Sequence, residues 1–137
     1  MSANTILSDD DFLSAFNDCS APPSAFNHEG HVRIAWIHLQ RYPLAQAIRL
    51  TCDGIERFAN HLGAPDKYNR TLSEALMRIM ASLGAADTRL SWDGYLSKNR
   101  ELFKDAQQLL GQYYSNELLT SKAAKGTFMP PDVSPLP

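Results

Sequence analysis

"LAQAIRLTCDGIERFANHLG", residues 44–63, decides the fold class. Leu44, Ile48, Cys52, Ile55, Phe58, Ala59 and Leu62 recur with the 3.6-residue period of an amphipathic helix. Gly63 follows, where a helix often ends in a left-handed residue. Upstream, Pro43 ends or starts a helix, and residues 28–41 read as a second helix with Asn27 as its cap. Downstream, "TLSE" at 71–74 has the form of a capping box, with Thr71 as cap and Glu74 reaching back. It opens a helix to about residue 83 with Leu72, Leu76, Ile79, Met80 and Leu83 inward, closed by Gly84.

The same signals continue outward. Ser8 caps a helix over 9–18, whose Asp9, Asp10 and Asp11 suit the positive helix start. Ser91 caps a short helix at 92–98, a further helix covers about 101–113, and Ser115 caps a last one to about 124, before Gly126. Almost no strand signal and no internal repeat are present. The expectation is all-α: a single-domain irregular helical bundle of five to seven helices over residues 1–126. A proline-rich tail, 127–137, follows. "FMPPDVSPLP" cannot be helical, and two readings compete: a disordered terminus, or an extended strap anchored across the helices by Phe128 and Met129, which those two apolar residues favour.

Composition limits the function. The 137 residues suffice for one cored domain, with 44% hydrophobic and 20% charged residues. Thirteen basic and fifteen acidic residues give a formal charge of -2, with no basic run to grip nucleic acid or an anionic membrane. No stretch approaches the roughly 18 apolar residues of a membrane span. The start has neither the basic nor the apolar region of a signal peptide. Cys19 and Cys52 lie far apart without CxxC spacing, against a disulfide framework or zinc ribbon. A reduced, cytoplasmic setting with Cys52 buried is the expectation. The seven glycines are scattered, so no phosphate loop is present. A homo-oligomer is compatible with the sequence.

The unusual segment is "FNHEGHVRIAWIHLQRYP", residues 26–43. With Val32 at 0° and about 100° per residue, Leu39 falls near 340°, His28 near 320°, Ala35 near 300° and Trp36 near 40°. His28 therefore points with the core residues, His31 and His38 border them, and Glu29, Arg33, Gln40 and Arg41 take the wet face. His28 and His31, three apart, can share one metal ion. His38 is seven residues from His31, roughly 10 Å along the axis at about 1.5 Å per residue. It cannot share that shell and suits an edge contact or a hydrogen bond. "HEGH" is not the zincin motif, which needs four-residue spacing with the glutamate between. His61 is the fourth histidine, and Asp66, Glu74 and Asp93 are the carboxylates that could complete a metal set.

The segment resembles a group of small bacterial all-helical proteins of uncharacterised function. Those proteins share F-x-H-x-x-H-x-x-x-A-W, then Y-H-x-T, then Y-Y-S-x-x-x-L before a Phe and Pro-Asp ending. "FNHEGHVRIAW", "YNRT" and "YYSNELL" carry the likeness, which spans most of residues 26–132. It supplies no reaction. It directs attention to His28, His31, Ala35 and Trp36, and to Tyr68 and Thr71. Asn69 stands where the pattern has histidine, and asparagine is a poor ligand for zinc or iron.

Three readings follow. One is a small-molecule pocket, binding or enzymatic, lined by His28, His31, Trp36, Tyr68, Asn69 and Thr71, with the histidines as hydrogen-bonding or acid–base groups. The second is a protein–protein interaction module using the tail or the aromatic C-terminal face, with hydrogen-bonded structural histidines and turn chemistry at Tyr68 and Asn69. The third is a metal site on His28 and His31. The ligand count weighs against this one, and chain purified without added metal is expected to carry less than one tightly held transition ion.

Overall fold

A computed structural model describes residues 8–22, 28–100 and 106–137, the last from residue 108 where side chains are concerned. The described residues are helices and turns without strands. In chain order they form α1 (Asp9–Asn17), α2 (His28–Arg41), α3 (Leu44–His61), a 3-10 turn (Pro65–Lys67) and α4 (Arg70–Ser82). Then come α5 (Trp92–Lys98), α6 (Ala106–Leu110), α7 (Asn116–Leu119) and α8 (Lys122–Gly126). The chain is an all-α bundle. Among the described residues no helix is long and apolar enough to cross a membrane.

The centre is α2. It packs most closely on α3, with α1 and α4 on other sides. Every residue from Val32 to Leu39 is buried. That overturns the wet-face reading of Arg33, which is only 4% exposed. The wheel could not see that α1 lies over this face. Arg33 reaches Asp9 at 3.0 Å and stacks 4.6 Å from the centre of the Phe12 ring, so its charge is paired and its stem packed. Arg41 pairs with Asp10 at 2.8 Å.

The stripe on α3 is buried at Ile48, Thr51, Cys52, Ile55 and Phe58. Gly54 has a specific use. A Cβ there would run into the Phe16 ring of α1, which stacks with Phe58 at 6.2 Å between centroids. The bare backbone lets α1 sit against α3. Gly63 ends the helix at φ +71°, with its N–H on Asn60 O at 3.0 Å and Ala64 N–H on Ala59 O at 2.9 Å. This is the two-bond Schellman ending. Gly84 serves similarly after α4, at φ +90°.

Ser8, Ser91 and Ser115 cap as expected, accepting from Asp11, Gly94 and Leu118 N–H groups. The capping box at 71–74 does not form. Asn69 caps α4 instead, accepting from Leu72 N–H at 2.9 Å, and Glu74 pairs with Arg70 and Arg78. The last helix divides in two, because Ser121 caps α8 within the span expected to be continuous. Of the helix expected over 101–113, residues 106–110 are helical and 101–105 lie outside the described residues. The Asn27 cap also lies outside them.

The tail is docked. The Thr71 hydroxyl, fully buried in α4, donates to Thr127 O at 2.9 Å and accepts from Met129 N–H at 3.0 Å. The Tyr114 hydroxyl donates to Met129 O at 2.7 Å. Asp132 accepts from the Ser115 N–H and hydroxyl at 2.7 and 2.6 Å. Phe128 lies under the Arg78 guanidinium at 5.5 Å.

Candidate functional site

Between the buried Gly30 and Leu39 on α2, one side chain keeps partial exposure: His31. Its exposed edge faces a cavity of about 220 Å3. Ile55, Phe58, Ala59 and Leu62 supply one side of the lining, because the period of α3 turns all four the same way. Ala64, Lys67 and Tyr68 supply another. They come back over the helix end because Gly63 reverses the chain and the 3-10 turn tightens it, with Tyr68 N–H on Pro65 O at 3.2 Å. His31 also lines a second hollow of about 30 Å3 with His28, Ala35, Thr51 and Ser73 among its walls. That is room for one water at most. His31 thus stands between the two hollows.

The electrostatics are those of a dry site. Burial, with His28 beside it, pushes His31 protonation down to about 4 from the ordinary 6.5. The imidazole is therefore neutral at pH 7, with one ring nitrogen a donor and the other an acceptor. Tyr68 is held well above the usual phenol range, chiefly by burial and then by the neighbouring Cys52, while Arg70 opposes the shift. Cys52 and Arg70, which act on its hydroxyl, do not line the cavity. Burial also pushes the Cys52 thiol up to about 11, which keeps it protonated and unreactive at neutral pH.

The six candidate residues divide. His31 and Tyr68 meet at the larger cavity, and His28 joins His31 at the smaller one. Trp36, Asn69 and Thr71 line neither. Trp36 is buried against Trp92, with ring centroids 5.5 Å apart. Its indole N–H has no hydrogen-bond partner among the described residues. Asn69 spends its oxygen on the α4 cap and its amide on Leu119 O at 2.8 Å. Thr71 holds the tail. His38 is buried, with Nδ1 2.7 Å from Thr51 Oγ1, and His61 is exposed at the end of α3. Asp66 and Asp93 are exposed, and Glu74 is committed to its two arginines. Among the described residues no three His, Cys, Asp or Glu side chains gather closely enough to hold a metal ion.

Phe58, Ala59, Leu62 and Lys67 are lining residues that the motif reading passed over. The three apolar ones look like ordinary core, and the period runs one turn past what packing on α2 requires. Leu62 is largely exposed, and that surplus was the available signal. No family model, curated protein or solved structure matches the chain.

Proposed function

We propose that this protein binds a small organic molecule in the cavity between His31 and Tyr68. The observation that carries this reading is the gap in burial at His31, between the buried Gly30 and Val32 of α2. It opens on a cavity with mainly apolar walls and one uncharged imidazole. Binding sites commonly combine apolar lining with a few placed polar groups.

The imidazole favours binding over acid–base chemistry. With protonation near 4, only about one His31 in a thousand carries a proton at pH 7, far from the matched pKa of an efficient general acid. Its neutral ring suits a fixed hydrogen bond to a ligand. The test is NMR screening of the whole chain with small amphipathic molecules. Hits should shift the amides of Ile55, Phe58, Ala59, Lys67 and Tyr68, and should be lost when Ala59→Trp fills the space. Hits that map to another surface and survive Ala59→Trp would overturn the reading.

A further inference from the structure

We propose that the occupant of this cavity is a small monocarboxylic acid with an apolar body, its carboxylate at the mouth beside Lys67 and its body against Ile55, Phe58 and Leu62. The proposal rests on the reading of the cavity as a binding site and adds a chemical class to it.

The argument begins with charge. Lys67 is the single charged side chain in the lining, and it is exposed. It forms no ion pair among the described residues, so its ammonium is available to a ligand. Asp66, its exposed neighbour, does not line the cavity. A cationic ligand would meet like charge at the mouth. A dicarboxylate would have to bring its second charge among Ile55, Phe58 and Leu62, where nothing charged can pair with it. One negative charge at the rim satisfies both constraints.

The walls set the rest. Ile55, Phe58, Ala59, Leu62 and Ala64 make most of the lining apolar, and Tyr68 adds an aromatic side chain to it. His31 adds a polar edge without a charge. The volume of about 220 Å3 lies below the roughly 300–1,000 Å3 of drug-sized sites. At about 30 Å3 per water it equals some seven waters, which suits a ligand of about seven to ten non-hydrogen atoms. Short-chain fatty acids and simple aromatic acids have that size and polarity.

The experiment compares three head groups on two bodies. Hexanoate and benzoate, 1-hexanol and benzyl alcohol, and hexylamine and benzylamine are titrated into the whole chain by NMR. The acids should bind about two- to five-fold more tightly than the alcohols, the upper range of a solvent-exposed ion pair, and the amines should bind weakest. Lys67→Met should bring the acids down to the alcohols. Salt at about 1 M, where the screening length is near 3 Å, should do the same to the unaltered chain. Alcohols or amines that bind as well as the acids, and are displaced by Ala59→Trp, would overturn the carboxylate class and leave the site standing. Absence of binding by all six, or binding untouched by Ala59→Trp, would overturn the site and the class together. Leu62→Trp, at a largely exposed position on the rim, is the second blocking variant should Ala59→Trp fail to fold.

Discussion

The two ends of α2 solve the same problem differently. Toward its C-terminal end His38 is buried and meets Thr51 at 2.7 Å, with the Tyr42 ring 6.1 Å away between centroids. Toward its N-terminal end His31 keeps partial exposure, and its ring borders a cavity of about 220 Å3. Burial is the main cause pushing protonation down to about 4 in both rings. A depressed histidine alone therefore does not distinguish a site from a core. The lining does: His38 borders a hollow of about 580 Å3 edged by the charged Arg49, Asp53 and Arg57, whereas the cavity at His31 is walled mainly by apolar side chains.

Acid should break both ends, and this is the largest effect expected. In the folded chain both imidazoles stay neutral down to about pH 4, whereas in the unfolded chain they take up a proton near 6.5. Between those values the unfolded state binds more protons. Stability from these groups is complete above about pH 6.5 and falls away as pH drops toward 4. The loss should reach roughly 2–3 kcal/mol from His38, and less from His31, whose ring keeps a wet edge. Urea unfolding at several pH values measures it, and a flat profile between pH 6.5 and 5 would contradict it.

Substitution at the His38 end should be the next most damaging. His38→Ala removes a buried hydrogen bond and leaves a void, for an expected loss of about 2–3 kcal/mol. Its coupling to Thr51→Val should be near 1 kcal/mol in a double-mutant cycle. Gly54→Ala sharpens the contrast by sign. In an open helix that change gains about 1 kcal/mol. Here the added methyl group meets Phe16, so a net loss of about 1–2 kcal/mol is expected, read as a lower Tm. At the His31 end the smallest effect is expected. Ala59→Val has space to enter and should change stability by less than about 1 kcal/mol while weakening ligand binding. Equal losses at Gly54 and Ala59 would erase the distinction between the two ends.

Much of this molecule was legible in its sequence, for local reasons. The α3 period, the serine caps and the left-handed glycines at 63 and 84 depend on backbone geometry that a few adjacent residues determine. What could not be read depends on partners distant in the chain. Asn69 and Thr71 can each cap a helix. The choice of Asn69 leaves Thr71 to hold a segment whose Met129 is 58 residues away. Arg33 reads as solvent-facing until Asp9 and Phe12 are placed over it. The cavity combines His31 and Tyr68, both legible as candidates, with Lys67, which looked like any charge in a loop.

The clasp on Thr71 has a kinetic consequence. Most contacts in a helical bundle join near neighbours, which favours rapid folding. The bonds from Thr71 to Thr127 and Met129 span 56 and 58 residues, so they close a long loop around structure that has already collapsed. Residues 127–134 should accordingly open as a separate cooperative unit, exchanging amide hydrogens ahead of α3. With that unit open, the hydroxyl inside α4 loses both of its partners, and the helix bundle persists with a polar seam where the strap had been.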